Sequence, residues 1–277
     1  MKTKEEIVAN WLPRYTGEEL ENFGDYILLC NFHNYVNLFA EWFGVEVIGK
    51  GKPMQCATAN GITIINFGMG SASAATCMDL LSAISPKAVL FLGKCGGLKR
   101  KSEVGDLILP IAAIRGEGTS NDYFPAEVPA LPAFALQKAI STTIRDYGKD
   151  YWTGTCYTTN RRVWEHDENF KEYLIQIRAM AIDMETATIF TVGFSNEIPT
   201  GALLLVSDQP MVPEGVIASF GNAGGIELQT SVLPFILRGI RLLGVNAKNL
   251  GLTSTYEKWA ATSTANHQRG ARVKAIP

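Results

Sequence analysis

The sequence predicts an α/β fold in which helices cover a mostly parallel β-sheet. Short apolar segments with β-branched and aliphatic residues alternate with longer segments of helical periodicity. Two of the apolar segments, 88–92 (AVLFL) and 201–206 (GALLLV), are typical of strands buried inside a sheet. This alternation is the pattern of βα units, which build parallel sheets with helical layers.

The predicted elements follow one another from residue 5 to residue 206. Apolar segments with strand composition lie at 26–30, 45–48, 62–67, 88–92, 106–110, 112–114, 151–157, 179–183 and 201–206. Segments with apolar residues at helical spacing lie at 5–12, 17–23, 34–43, 71–84, 131–147, 169–178 and 185–196. Gly93 is expected to end the strand at 88–92, because glycine commonly interrupts regular structure.

Five polar or glycine-bearing segments stand where predicted strands end. They cover 30–32, 68–71, 93–97, 184–185 and 207–208. Ligands of open α/β sheets bind beyond the carboxyl ends of the strands. The convergence of five segments at one edge therefore predicts a site for a small molecule.

Composition narrows the class of partner and the compartment. The 277 residues include 25 Lys and Arg against 27 Asp and Glu, a net charge of −2, which argues against a nucleic-acid partner. No apolar stretch approaches the roughly 18 residues that span a bilayer, and the N-terminus resembles no signal peptide, so we expect a cytoplasmic protein without a membrane partner. The five cysteines and three histidines are too scattered for a zinc site, so we expect reduced thiols, no metal and no cofactor.

A glycine turn at 68–71 (GMGS) follows a strand and opens a helix. The free N–H groups of Gly70 and Ser71 at this helix start suit an anion or an oxygen-rich ligand. The segment is not a dinucleotide fingerprint, because Ser73 stands where the third glycine would be. A tight structural turn explains the segment equally well.

Four cations lie in predicted loops and are candidates for a phosphate group: Lys94, Arg115, Arg161 and Arg162. A lysine beside Gly93 faces either a carboxylate or a ligand phosphate, because burying an unpaired ammonium is costly. The paired arginines after Asn160 suit a phosphate. The segment 115–123, which includes Glu117 and Tyr123, is long enough to fold over a site. Solvated surface loops are the alternative for both arginine segments.

Two carboxyl groups at predicted strand ends could carry chemistry. Asp208 follows five apolar residues and Ser207, so its surroundings are expected to raise its pKa toward the range of a general acid. Glu185 begins a helix, where a negative charge is favourable even without a catalytic role.

Several of these segments together resemble the nucleoside phosphorylase superfamily, and within it the short bacterial AMP nucleosidases. The resemblance covers residues 1–216 and rests on GMGS at 68–71, LGKCGG at 92–97, RGEGTSNDYFP at 115–125, AIDMETA at 181–187 and SDQP at 207–210. It implies a three-layer α/β fold with a central mixed β-sheet flanked by helices. It also implies a homo-oligomer, because superfamily members complete their sites across dimer interfaces.

The resemblance implies hydrolysis of AMP to adenine and ribose 5-phosphate. Asp208 matches the acid that protonates the purine N7, and Glu185 matches the carboxylate that holds the ribose hydroxyls, with Met184 packing on the sugar. Phe91 and Asn34 stand where phosphorylases carry phosphate-binding arginines, so water is the expected nucleophile. The expected substrate-binding set comprises Met184, Ser207, Gly70, Ser71, Gly93, Lys94, Arg115, Glu117, Tyr123, Asn160, Arg161 and Arg162. The alternatives are another purine nucleosidase, a nucleoside phosphorylase, and a catalytically impaired nucleotide binder.

The segment 217–277 departs from this family pattern. It resembles the C-terminal part of quinone-oxidoreductase-like medium-chain reductases but lacks their nucleotide-binding half, so no nicotinamide cofactor is expected. We therefore predict a catalytic domain at 1–216 and an atypical, partly disordered tail at 217–277.

Overall fold

Eight strands form one mixed sheet in residues 2–212, the part of the chain that the computed structural model describes. The strands are β1 (Tyr26–Cys30), β2 (Gln55–Ala59), β3 (Ile62–Asn66), β4 (Ala88–Gly97), β5 (Leu107–Gly116), β6 (Trp152–Thr159), β7 (Ala181–Asp183) and β8 (Thr200–Asp208). Their order across the sheet is β2-β3-β1-β4-β7-β6-β5-β8, and β4 also pairs with β8. The predicted tail at 217–277 lies outside the described residues.

The additional pairing closes part of the sheet into a ring. Strand β4 pairs in parallel with β8 and antiparallel with the short strand β7, while β5 pairs in parallel with β6 and antiparallel with β8. Strands β4, β7, β6, β5 and β8 therefore form a closed circuit of five. The end of β4 lies between β7 and β8, which brings Gly96 opposite both Ile182 and Asp208.

Six α-helices cover the two faces of the sheet within the described residues. They are α1 (Lys4–Thr16), α2 (His33–Phe43), α3 (Ser71–Leu81), α4 (Phe134–Asp146), α5 (Glu168–Gln176) and α6 (Thr186–Ser195). One buried core lies under α1, α3 and α6, and a second lies under α2 and α4. The predicted three-layer α/β fold with a central mixed sheet is therefore confirmed. None of the helices in residues 2–212 is long and apolar enough to cross a bilayer.

Local sequence explains where the first helix begins and ends. The Thr3 hydroxyl accepts a hydrogen bond from the Glu6 N–H, and the Glu6 carboxylate accepts one from the Thr3 N–H, which forms a capping box. Helix α1 ends at Gly17, whose φ of 77° lies in the left-handed region that favours glycine. The predicted helix at 5–12 therefore extends in both directions.

Two predicted elements differ from the structure, and one observed strand was not predicted. The segment 45–48 is not a strand, because only Ile48 forms an isolated bridge, to Cys56. The edge strand is instead β2, whose sequence QCATA has no strong strand signal. The segment 17–23 contains only a short 3-10 helix at Leu20–Asn22.

The sequence predicts that Gly93 ends the central strand, and this prediction is wrong. Strand β4 continues through it to Gly97, and Gly93 pairs with Leu204 of β8. A Cβ atom at Gly93 would lie 2.5 Å from the Phe91 ring and 2.9 Å from the Leu204 side chain. Gly93 therefore allows close packing inside the sheet and does not form a turn.

Candidate functional site

Glu185 connects two of the segments that the sequence places at the sheet edge. It is 2% exposed and immediately precedes α6. Its Oε1 accepts a hydrogen bond from the Gly70 N–H at 2.8 Å, and its Oε2 accepts one from the Met184 N–H at 3.2 Å. The Ser71 hydroxyl donates to the Met184 carbonyl at 2.6 Å. The predicted convergence of 68–71 with 184–185 is therefore present.

The environment of Glu185 moves its ionisation toward neutral pH. Burial, followed by the negative charge of Asp183, raises the pKa of Glu185 to about 7. Hydrogen bonds from the Gly70 and Met184 backbone and from the Asn31 side chain oppose this shift. Glu185 can therefore change its charge near physiological pH.

Asp208 lies at the end of β8, opposite Gly96 of β4. Burial raises the pKa of Asp208, while the hydrogen bond from Ser207 and the positive charge of Arg162 oppose the rise. The Ser207 hydroxyl lies 2.6 Å from Asp208 Oδ1 and also 3.2 Å from the Cys95 carbonyl. The carboxyl group remains partly exposed, so it can exchange a proton with a ligand.

Lys94 follows Gly93 on β4, and its ammonium lies 4.2 Å from the centre of the Phe32 ring. This contact has cation–π geometry. Burial lowers the pKa of Lys94. Phe32 adjoins Asn31, which hydrogen-bonds Glu185, so Lys94 belongs to the same edge of the sheet.

Arg115 binds the loop that follows β5. Its guanidinium group donates to six acceptors at 2.6–3.1 Å: Ser120 Oγ, Asn121 Oδ1 and the carbonyls of Ser120, Phe124, Pro125 and Val128. Its five N–H donors are thus occupied within the protein. This corrects the sequence interpretation, because Arg115 holds the loop at 120–128 and has no donor left for a phosphate.

Tyr123 and Glu117 also make contacts inside the protein. The Tyr123 hydroxyl donates to Asp79 Oδ2 at 2.6 Å, and burial with this contact raises the pKa of Tyr123. Glu117 is 2% exposed, and its Oε1 accepts from the Ser120 N–H and from the Thr188 hydroxyl. The structure brings neither residue into hydrogen-bond contact with Glu185 or Asp208.

The loop after β6 presents Asn160, Arg161 and Arg162 on the surface. Arg161 forms an ion pair with Asp167 at 2.8 Å and lies over the Phe170 ring. Arg162 lies 3.6 Å from Glu165. Of these two arginines, Arg162 is the one whose charge lowers the pKa of Asp208.

Two residues at the site were not among the sequence candidates. Asn31 hydrogen-bonds Glu185, and its position after β1 was the available signal. Asp183 is a buried carboxylate, 6% exposed, that ends β7 two residues before Glu185. A buried acid cannot be distinguished from an exposed one by residue type alone, so its role needed the structure.

This geometry can accept hydrogen bonds from a small molecule and exchange a proton with it. Glu185 offers an oriented acceptor for hydroxyl groups, and Asp208 offers a partly buried acid at the same edge of an α/β sheet. The sequence profile of the Phosphorylase superfamily matches residues 17–227, a match that extends past the predicted boundary at 216. The chain belongs to the phosphorylase superfamily.

Individual relatives agree with this assignment. The chain is 65% identical to an AMP nucleosidase of Bacteroides thetaiotaomicron of known crystal structure, with a TM-score of 0.73 over 74% of this chain and 90% of that one. It is 28% identical over 246 residues to the Escherichia coli AMP nucleosidase, covering 72% of this chain and 51% of that protein. The chain thus spans about half the length of the first curated relatives it matches. A uridine phosphorylase of Vibrio fischeri, 24% identical over 68% of this chain and 80% of that one with a TM-score of 0.63, shares the fold.

Proposed function

We propose that the protein is an N-glycosyl hydrolase that converts AMP and water to adenine and ribose 5-phosphate. The observation that carries this proposal is the presence of an oriented carboxylate, Glu185, and a partly buried carboxyl group, Asp208, at one edge of the sheet. The similarity to the Bacteroides thetaiotaomicron AMP nucleosidase supports the choice of substrate.

Glu185 binds the ribose in this proposal. Its two oxygens already accept backbone N–H groups from different segments, which fixes the plane of the carboxylate. The remaining acceptor positions are available to the 2′- and 3′-hydroxyls. Only the ionised form accepts from both hydroxyls, so binding of AMP strengthens as Glu185 loses its proton near pH 7.

Asp208 acts as the general acid. As the C1′–N9 bond breaks, its electron pair moves into the purine, and a proton from Asp208 to N7 makes the base a better leaving group. The sugar develops oxocarbenium character, and water adds to C1′ and releases a proton to solvent. The raised pKa of Asp208 favours the protonated form that this step needs.

Water is the proposed nucleophile because an apolar residue stands where a phosphate-binding cation would be needed. Phe91 is fully buried, and its ring centre lies 5.8 Å from that of Phe67. Phosphorylases of this superfamily carry an arginine at the position of Phe91. An apolar ring in the core cannot hold a phosphate dianion.

Lys94 and Arg162 are the proposed ligands of the 5′-phosphate. Of the four cations that the sequence suggested, Arg115 binds its own loop. Arg161 and Arg162 each lie near a carboxylate, at 2.8 Å from Asp167 and 3.6 Å from Glu165, so the choice between them rests on which one acts on Asp208. Lys94 lies beside the segment that contacts Glu185, and Arg162 acts on Asp208. Both therefore adjoin the groups that would bind the sugar and the base.

Chromatography of AMP incubated with the purified protein tests this function. We expect adenine and ribose 5-phosphate in equal amounts, both in phosphate-free buffer and with added phosphate. Turnover that requires phosphate would identify a phosphorylase instead. Binding of AMP without any adenine would identify a catalytically impaired nucleotide binder. The variant D208N provides the control for contaminating nucleosidase.

Four expectations from the sequence remain proposals. The protein acts as a homo-oligomer in the cytoplasm, which sedimentation and cell fractionation would test. The tail at 217–277 resembles the C-terminal part of medium-chain reductases and binds no nicotinamide cofactor. Fluorescence titration with NADPH would contradict the last statement if it saturated.

A further inference from the structure

Asp183 is a buried carboxylate to which the proposed mechanism gives no task. Its Oδ1 accepts hydrogen bonds from the Thr158 hydroxyl at 2.7 Å and from the Cys156 thiol at 3.3 Å. Its Oδ2 accepts from the Thr186 N–H at 2.8 Å and from the Thr186 hydroxyl. Burial raises the pKa of Asp183, and these four donors oppose the rise because they bond the ionised form.

These contacts connect β6, β7 and the first turn of α6. The Thr158 hydroxyl donates to Asp183 and also accepts from the Ala187 N–H at 2.9 Å. The first N–H groups of a helix lack partners within the helix. Here the N–H groups of Thr186 and Ala187 are both bound by this network. Glu185 immediately precedes them, so the network fixes the backbone from which Glu185 projects.

We propose that Asp183 is a positioning residue for Glu185: it fixes the first turn of α6 and acts on the charge of Glu185 through space. The inference rests on the proposed function, which gives Glu185 the task of binding the ribose. It adds a residue outside the expected catalytic and substrate-binding set.

The electrostatic part of the proposal depends on the groups around the two carboxylates. Asp183 faces Glu185, Cys156 on β6 and Cys95 on β4, and Asp208 on β8 acts on Cys95. Burial and the charge of Asp183 raise the pKa of both thiols, so these thiols stay neutral between pH 5 and 9. Glu185 also faces the Asn31 side chain and the N–H groups of Gly70 and Met184. The substitution D183N therefore removes a negative charge next to Glu185 and leaves those neutral partners in place.

A double-mutant cycle of E185Q and D183N, measured by thermal unfolding, tests this coupling without any activity measurement. The pKa of Glu185 is about 7 in the folded protein, above the usual 4.5, so its contribution to stability is present below pH 4.5 and lost as the pH rises through 7. The substitution E185Q should therefore raise the Tm relative to the parent increasingly between pH 5 and 8. In a D183N background, the same gain should shrink. An equal gain in both backgrounds would overturn the proposal.

The pH profile of activity tests the same coupling at the site. For the parent, kcat/KM for AMP should rise with pH as Glu185 ionises. In D183N, this acid limb should move down by about one pH unit, because a like charge has been removed, and the maximal kcat should fall about 10–100-fold, because Glu185 is less well placed. In the control C156A, which removes an uncharged partner of Asp183, the limb should keep its pH. An unshifted limb in D183N would contradict the proposal.

The experiments still test the role of Asp183 if the parent does not cleave AMP or if D183N does not fold. If the parent does not cleave AMP, the proposed function fails, and the unfolding cycle still decides the role of Asp183. If D183N does not fold, Thr158→Val removes one donor of the network, and Thr158→Ser retains it. We expect a kcat loss of about tenfold in T158V and recovery in T158S. Equal activity in the two variants would overturn the positioning role.

Discussion

At the residue scale, the environment of Asp208 determines how its replacement will act. Burial disfavours its ionised form, and Ser207 is its hydrogen-bond partner. The variant D208N keeps the shape of the side chain but cannot deliver a proton. We expect kcat for AMP to fall by about 10²–10⁴-fold, as for the loss of a general acid, while the affinity for AMP changes little.

Steady-state kinetics and calorimetric titration with AMP check this prediction. The matched control is D25N, because Asp25 is an exposed carboxylate paired with Lys87 at 2.6 Å and far along the chain from the site. D25N should keep full activity. Turnover by D208N at the parent rate would remove Asp208 from the mechanism.

The two proposed phosphate ligands also make a prediction at the scale of single residues. Replacing Lys94 or Arg162 by methionine removes one positive charge and retains much of the side-chain length. We expect kcat/KM for AMP to fall at least about tenfold, and the value for adenosine to change much less, because adenosine has no phosphate. The control is R161M, since of the two neighbouring arginines Arg162 is the one whose charge acts on Asp208. Equal losses for AMP and adenosine would show that these cations do not bind the phosphate.

At the element scale, the loop at 120–128 depends on Arg115. Lysine at this position cannot reproduce a guanidinium group that bonds six acceptors. We expect R115K to lower the free energy of unfolding by about 2–3 kcal/mol, since each lost hydrogen bond contributes about 1 kcal/mol. Urea denaturation measures this change, and limited proteolysis should show faster cleavage within the loop.

The control for this prediction is R161K, which alters an exposed ion pair with Asp167. Its free energy of unfolding should change by less than about 1 kcal/mol. If R115K and R161K were equally stable, Arg115 would not be the residue that stabilises this loop.

The accuracy of the sequence-based prediction also differs between elements. Strands buried in the sheet, such as 26–30 and 88–92, could be predicted because each is a continuous apolar segment. The edge strand β2 could not be predicted, because it pairs with a neighbour on one side and its sequence QCATA contains no large apolar residue. Gly93 was misassigned as a break, since its packing against Phe91 and Leu204 is a tertiary constraint.

In the candidate site, too, features of the local sequence were predictable and tertiary contacts were not. The meeting of the segments after β1, β3, β4 and β8 was predictable, because these strands run parallel and their carboxyl ends lie at one edge. The segment 184–185 reaches them from the opposite direction, since β7 runs antiparallel to β4. Which cations in those segments are bound by protein groups was not predictable, because the contacts of Arg115 with its loop and of Arg161 with Asp167 depend on the folded backbone.

At the scale of the whole molecule, the five cysteines report on how the sheet opens. They lie in β1, β2, α3, β4 and β6, and all are free and buried: Cys30, Cys56, Cys77, Cys95 and Cys156. Burial raises the pKa of each thiol, which lowers its reactivity because the thiolate is the nucleophile. The expected burial of the cysteines is thus confirmed.

A thiol reagent at pH 8 should therefore label none of the five groups in the native protein and all five in guanidinium chloride. At intermediate denaturant, labelling requires opening of the elements that cover each sulfur. Because β4 joins the ring of five strands to the open half of the sheet, we expect Cys30, Cys95 and Cys156 to react in one kinetic phase. Peptide mapping by mass spectrometry distinguishes the sites. Separate phases for Cys30 in the open half and Cys156 in the ring would mean that the two parts of the sheet unfold independently.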